Sequence, residues 1–146
     1  MDFSKYKFNH KTTAHLRFND IDLLGHVNNT VYGNFFDGGR FDYFRDVVNV
    51  NKFNNDLWIV LATNSVDYLQ PIVLDDKIII ETKITKLGTK SMEMIQQIAI
   101  LKDENRLIST MSTSVLVCFS LVENKSVNMP EDWKRLIRNF ENDIVL

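Results

Sequence analysis

Residues Phe18 to Val48 carry the most structural information in this sequence, and they read F-N-D-I-D-L-L-G-H-V-N-N-T-V-Y-G-N-F-F-D-G-G-R-F-D-Y-F-R-D-V-V. The first part of this stretch is rich in Asp, Asn and Gly, which favour turns over regular structure. The side chains after it repeat at a spacing of four in two neighbouring rows, which are Val31, Phe35, Gly39, Tyr43, Val47 and Tyr32, Phe36, Arg40, Phe44, Val48. Two such rows predict one amphipathic helix of about five turns.

Two further details of this helix follow from its sequence. Asn28 or Asn29 is the predicted N-cap, because an Asn side chain can accept a hydrogen bond from a free backbone N–H of the first turn. Gly33, Gly38 and Gly39 each cost about 1 kcal/mol relative to Ala inside a helix. Tolerating them indicates a helix backbone that lies close against a sheet.

The sequence on either side of the helix predicts strands. Apolar and β-branched residues alternate or cluster in five segments, which are residues 12–18, 58–69, 77–87, 91–102 and 107–120. Hairpin-length turns between the later strands require antiparallel pairing. A last helix, 130–142, begins at Pro130 with acidic residues in its first turn. One long helix against one antiparallel sheet is an α+β architecture, and we expect a single domain over residues 1–146.

The composition excludes several classes of protein. The 146 residues carry a formal charge of −2, which is no signature of polyanion binding, so no nucleic-acid partner is expected. The lone Cys118 excludes an internal disulfide and a Cys-based zinc site, and the three histidines form no plausible cluster, so neither metal nor organic cofactor is expected. Without a signal peptide or a long apolar run, we expect a cytoplasmic protein that does not insert into membranes.

Residues able to carry chemistry concentrate in the loop before the long helix. Asp20, Asp22, Gly25 and His26 lie within seven residues of one another. Backbone N–H groups at a helix start can stabilise a developing oxyanion, and a nearby carboxylate can attack a carbonyl or deprotonate water. The same residues are also typical of a capped structural loop. Composition alone leaves both interpretations open.

This stretch resembles the hotdog-fold acyl thioesterases. The closest resemblance is to the small acyl-CoA thioesterases related to 4-hydroxybenzoyl-CoA thioesterase, through D-x-D-x-x-G-H-V-N-N at residues 20–29, followed by Tyr32, a Phe pair and Arg40. The order of elements over residues 12–120 also agrees with that fold, in which a sheet wraps around the long helix. The resemblance implies an acyl-CoA thioester hydrolase, with coenzyme A entering only as part of the substrate.

The resemblance also implies roles for individual residues. Asp22, the second Asp of the D-x-D pair, would act as nucleophile or general base, and His26 would assist it. Backbone N–H groups from Asn28 to Tyr32 would bind the oxyanion, and Asn29 would shape the loop. Asp22 and His26 are therefore the expected catalytic residues, with Asn29 and Tyr32 binding substrate.

Further expectations concern the carrier and the partner subunit. Lys90 and Ser91 resemble a Lys-Ser pair near which relatives bind the nucleotide part of coenzyme A, and Lys86 and Lys90 are cations that could meet its phosphates. Hotdog subunits pair their sheets edge to edge, with pockets between subunits. This implies a homodimer, or a dimer of dimers, in which Asp22 works against the partner's second strand near Asn64 and Ser65.

The chain also departs from its relatives. The plant acyl-carrier-protein thioesterases share H-V-N-N but carry an Asn shortly before the His, where this chain has Gly25. The benzoyl-type enzymes have adjacent arginines where Gly88 and Thr89 stand here. Two alternatives therefore stay open: an acyl-carrier-protein thioesterase, and a non-catalytic acyl-thioester-binding protein on the same fold.

Overall fold

The computed structural model describes residues 1–50 and 56–144. Its strands and helices follow one another as β1 (His10–Ala14), α1 (Tyr32–Val48), β2 (Leu57–Tyr68), β3 (Lys77–Leu87), β4 (Ser91–Lys102), β5 (Asn105–Ser120), β6 (Lys125–Ser126) and α2 (Glu131–Glu141). All strands belong to one antiparallel sheet of order β1-β3-β4-β5-β2, with the short β6 beside β5. The predicted α+β architecture is confirmed.

All five predicted strands are present, but β1 begins two residues early at His10, β1 and β5 differ in length from the prediction, and the short β6 has no predicted counterpart. β3 and β4 have the predicted bounds, and β2 is displaced by one residue. β1 ends at Ala14 rather than residue 18, because Phe18–Asp20 forms a 3-10 turn whose Asp20 carboxylate accepts the backbone N–H of Arg17 at 2.8 Å. β5 begins two residues earlier than predicted, at Asn105, since pairing with Lys102 extends the hairpin to its turn.

The two predicted rows of side chains form the buried face of α1. Every member of both rows is buried except Val31, which precedes the helix and is half-buried. Even Arg40 is buried, and its guanidinium donates to Gln96 Oε1 of β4 at 3.1 Å. The helix therefore lies along the inner face of the sheet, and this contact is one of several buried polar contacts in a mainly apolar layer.

The glycine prediction holds for Gly39 alone. A Cβ atom placed there would lie 2.7 Å from Ile80 Cγ2 and 2.9 Å from Gln96 Nε2. The backbone of α1 therefore packs directly against these side chains of the sheet at this point. At Gly33 and Gly38 a Cβ atom would meet nothing within 4 Å. Those two glycines face open space, and the expectation that they contact the sheet is wrong.

The predicted N-cap of α1 is also wrong. The residue before the helix is Val31, and neither Asn28 nor Asn29 caps it with a side chain. Asn28 Oδ1 instead accepts the backbone N–H of Thr30 at 2.9 Å, and the Val31 N–H donates to the Asn28 carbonyl. The Asn side chain thus stabilises a separate turn just before the helix, because such side chains bond equally well to a backbone N–H two residues on.

One bulge divides β2 into two halves. Leu61 pairs with Leu116 and Thr63 with Val115, which leaves Ala62 without a partner in the register. The bulge shifts the alternation of side chains. On the face towards α1, Leu61 is therefore followed by Asn64 rather than by Thr63. β2 is also the last strand of the sheet, and it exposes apolar side chains, among them Trp58, Val60, Leu61 and Tyr68.

Two charged residues of β3, Glu81 and Lys83, are buried as well. The Glu81 carboxylate contacts Lys11, Gln97 and Arg106. The N-terminal segment covers the neighbouring part of this outer face, with Phe3 and Phe8 packed on side chains of β4 and β5. No helix within residues 1–50 and 56–144 is long and apolar enough to span a membrane.

Candidate active site

The loop before α1 closes on itself in a tight turn. Ile21 and Val27 form an isolated antiparallel bridge, and the Asp22 N–H donates to the His26 carbonyl at 2.9 Å. The turn requires a left-handed backbone at Gly25, whose φ is +78°, a conformation that glycine adopts without steric cost. Asp22 and His26 therefore lie side by side at the two ends of one tight turn.

The Asp22 carboxylate is held in place by the loop backbone. Its Oδ1 accepts the N–H of Leu24 at 2.8 Å, and the side chain is half-buried. Asp20 differs, because it is buried and bound by Arg17 through both a backbone N–H and the guanidinium. Of the two carboxylates, Asp22 is thus the one accessible to a ligand, while Asp20 holds the loop together.

The loop forms one wall of a cavity of about 410 Å³. Four of the predicted site residues line this cavity: Asp22, His26, Asn29 and Tyr32. The opposite wall is the segment from Tyr68 to Pro71, where β2 ends. The structure therefore brings the predicted catalytic pair and the start of α1 to one concave surface.

Two tyrosines in contact with each other line this cavity. Tyr32 is buried, which raises the pKa of its phenol, and its ring lies edge-on to that of Tyr68 with centroids 5.1 Å apart. The Tyr68 hydroxyl reaches the Asn29 carbonyl at 3.4 Å. No sequence motif marks Tyr68, because the bulge in β2 is what puts it on the face towards α1.

Of the backbone N–H groups predicted to bind the oxyanion, three already have hydrogen-bond acceptors within the protein. Within residues 28–32, the N–H of Asn28 donates to the Asp20 carbonyl, that of Thr30 to Asn28 Oδ1 and that of Val31 to the Asn28 carbonyl. Asn29 and Tyr32 are the two residues that remain, and both line the cavity. Since α1 begins at Tyr32, these amides lie at its positive end.

The other predicted residues lie elsewhere in the chain. Asn64 accepts the Ser112 hydroxyl at 2.7 Å on the face of β2 towards α1, whereas Ser65, as the next residue of the strand, points to the opposite face. Both nevertheless line a second cavity of about 280 Å³, which lies beside β2 and is separate from the Asp22 cavity. One chain does not bring them to Asp22.

Lys90 and Ser91 lie at the far end of the sheet. Ser91 pairs with Val117 of β5, whereas Tyr68, beside the Asp22 cavity, pairs with Thr110. Seven residues of strand separate these two levels, which is about 23 Å. Lys90 Nζ donates to the Ser126 carbonyl there. In the part of the chain that the structure describes, no group of His, Cys, Asp and Glu residues is arranged to hold a metal ion.

Comparison with known proteins identifies relatives. The family model of the thioesterase-like superfamily matches residues 16–137. The uncharacterized protein YsmA of Bacillus subtilis (strain 168) is 27% identical over 96 residues, which are 64% of this chain and 65% of that protein. The alignment thus spans less than two thirds of this relative.

Solved structures show the same fold. A thioesterase of Thermus thermophilus, crystallised with coenzyme A and Zn, superposes with a TM-score of 0.77 at 29% identity, over 92% of this chain and 96% of that one. A mutant 4-hydroxybenzoyl-CoA thioesterase in complex with 4-hydroxybenzoyl-CoA gives a TM-score of 0.78 over 88% of this chain and 97% of that one. Its identity is 16%, so that likeness concerns the fold alone. The predicted hotdog fold is confirmed, and because the family model covers most of its length, the chain belongs to the thioesterase-like superfamily.

Proposed function

We propose that the protein hydrolyses an acyl-CoA thioester to the free acid and coenzyme A. The observation that carries the proposal is the shared cavity of Asp22, His26 and the start of α1. It combines a half-buried carboxylate, an imidazole and helix-start amides within one concave surface, which is what acyl transfer to water requires. The membership of the thioesterase-like superfamily supports this class of reaction.

Asp22 acts in one of two ways. As general base it takes a proton from water, whose oxygen attacks the thioester carbonyl carbon. As nucleophile it attacks that carbon itself, and water then hydrolyses the resulting anhydride. In both cases the carbonyl oxygen becomes an oxyanion bound by the Asn29 and Tyr32 amides, the C–S bond breaks, and the thiolate leaves. His26, exposed at the cavity mouth, donates the proton that converts this thiolate to the thiol.

The nucleotide part of coenzyme A binds near Lys90 and Ser91, and it does so across two subunits. Within one chain these residues lie at the opposite end of the sheet from Asp22. β2 is a long apolar strand at the sheet edge, and such an edge favours pairing with another strand. Antiparallel pairing of two β2 strands places the Asp22 end of one subunit beside the opposite end of its partner. A homodimer, alone or as half of a tetramer, therefore supplies the complete site.

A screen of thiol release tests this function. Short-chain, long-chain and aromatic acyl-CoAs are incubated with the purified protein, and the free thiol is measured with and without added coenzyme A. Hydrolysis that coenzyme A inhibits is the expected result. Release that free coenzyme A does not inhibit would indicate an acyl-carrier-protein substrate instead. Ligand-induced stabilisation without any thiol release would show that the protein binds acyl thioesters without cleaving them.

A further inference from the structure

An apolar groove runs between α1 and β2, away from the Asp22 cavity. Its lining consists of the apolar residues Phe41, Phe44, Ile59, Leu61 and Leu116, together with the ion pair of Asp37 and Arg40. Its volume is about 210 Å³. Phe41 is 51% exposed and Leu61 45% exposed, so the groove is open on the side where the sheet ends.

The same chain carries an apolar projection of its own. Leu23 is fully exposed and Leu24 is 79% exposed at the tip of the loop before α1. We name this pair the leucine tip. Two adjacent leucines this exposed are unusual for a loop that is otherwise held by hydrogen bonds, and exposed apolar clusters mark contact sites.

The tip and the groove lie at opposite ends of β2. Leu24 lines the cavity together with Tyr68, the last residue of the strand. The groove uses Ile59 and Leu61 from its first half. All of these strand residues face α1. In an antiparallel pair that uses the whole of β2, Tyr68 of one copy lies opposite the beginning of the other copy's strand. Each tip therefore comes beside the groove of the other copy, twice in one symmetric dimer.

We propose that the leucine tip of each subunit docks in the α1–β2 groove of a second copy of this chain. This inference rests on the proposed function in one respect, since it gives the dimer a part in catalysis. The N–H of Leu24 is the group that holds the Asp22 carboxylate, so a docked tip fixes Asp22 as well. Leu23 is thus a positioning residue: it acts on Asp22 through the conformation of the loop.

Disulfide trapping tests the docking without any substrate. One population carries Leu24→Cys and a second carries Phe41→Cys, and the two are oxidised separately and after mixing. The native Cys118 is buried, and burial raises the pKa of its thiol to about 11, which keeps it out of the reaction. A cross-linked dimer that forms only in the mixture is the expected result. No cross-link in the mixture, or an equal yield in either single population, would overturn the docking.

A second experiment measures the effect on assembly and rate. Leu23→Asp places a charge in the docked tip, and the dimer dissociation constant should rise by about 30-fold, as for the loss of an interface hot spot. The control is Leu101→Asp, which changes a leucine that is 39% exposed and lies on β4, separated from β2 by β5. Sedimentation velocity gives the assembly, and thiol release over a range of protein concentrations gives the rate.

Docking predicts that Leu23→Asp loses specific activity on dilution and recovers it at high concentration, while Leu101→Asp behaves as the wild type. A wild-type protein that sediments as a monomer, or a Leu23→Asp dimer as tight as the wild type, would exclude the docked tip. The two proposals fail in different ways: a wild type that cross-links through Leu24 and Phe41 but releases no thiol would retain the docking and remove the hydrolase function.

Discussion

The Tyr43 hydroxyl donates a hydrogen bond of 2.7 Å to the Glu141 carboxylate, joining the middle of α1 to the last residue of α2. Glu141 also accepts from Lys83 Nζ at 2.9 Å and from the backbone N–H of Ile84. Tyr43, Lys83 and Glu141 are all buried. β1 pairs with β3 only as far as Thr82, and beyond that residue the Glu141 carboxylate lies beside the free edge of β3. The terminal helix is therefore fastened to both the central helix and the sheet.

Glu141→Gln should destabilise the fold by about 1–3 kcal/mol, because the buried ammonium group of Lys83 loses one of its two counter-ions and keeps only Asp143, whose carboxylate lies 2.7 Å away. Urea unfolding followed by tryptophan fluorescence measures the change. The matched control is Glu131→Gln, whose carboxylate is exposed and pairs with Lys134 in the first turn of α2. This change should leave the free energy of unfolding close to that of the wild type, because solvent screens an exposed ion pair. Equal effects of the two substitutions would contradict the role assigned to Glu141.

The same cluster should make stability fall at alkaline pH. Burial, and then the nearby Glu141 charge, raise the pKa of Tyr43 far above its ordinary 10.0, so the folded protein keeps this phenol neutral. A raised pKa contributes stability that is complete below the unfolded value and is lost progressively as pH rises above it. The free energy of unfolding should thus decline above about pH 10. Tyr43→Phe should show a smaller decline in the same urea titrations, and an identical decline would be the contrary result.

Asp22→Asn should reduce kcat for acyl-CoA hydrolysis by about 100-fold or more, because an amide is neither a base nor a nucleophile. The fold should be unaffected, since the Asn side-chain oxygen can still accept the Leu24 N–H. Thiol-release kinetics and the melting temperature test the two statements separately. Asp103→Asn, at an exposed position of the β4–β5 turn with φ of +49°, is the control. Retention of full turnover in Asp22→Asn would remove Asp22 from the mechanism.

Two neighbouring glycines of α1 should respond to Ala in opposite directions. Gly39→Ala adds a methyl group within 3 Å of Ile80 and Gln96 and should destabilise by about 1–3 kcal/mol. Gly38→Ala adds it in open space within the helix and should stabilise by up to about 1 kcal/mol. Thermal unfolding of both variants against the wild type tests the pair. A stabilising Gly39→Ala would show that the helix is not held close to the sheet at this point.

Much of this fold follows from local sequence patterns. The two rows of α1 and the bounds of β3 and β4 are readable because burial repeats with the period of the element. The start of α1 cannot be predicted in this way, because an Asn side chain can accept a hydrogen bond in a preceding turn as readily as at a helix N-terminus. Nor can the buried Glu81 be predicted, because its environment depends on Lys11 and Arg106, which are distant in sequence and brought together only by the sheet.

The candidate site also has a part that the sequence predicts and a part that it does not. Asp22, His26, Asn29 and Tyr32 lie within eleven residues, so one motif predicts their shared cavity. Tyr68 completes that cavity from a strand end far along the chain. Its orientation towards α1 depends on the bulge at Ala62, which has no sequence signal of its own.

That single unpaired residue also restricts how the gene for this protein can change in length. Deleting Ala62 would make Leu61 and Thr63 neighbours, and these two already pair with the neighbouring residues Leu116 and Val115, so both halves of β2 would keep their faces. Deleting another residue inside the strand would instead turn the side chains next to it to the opposite face of the sheet. A one-codon deletion in β2 is therefore expected to be tolerated best at Ala62.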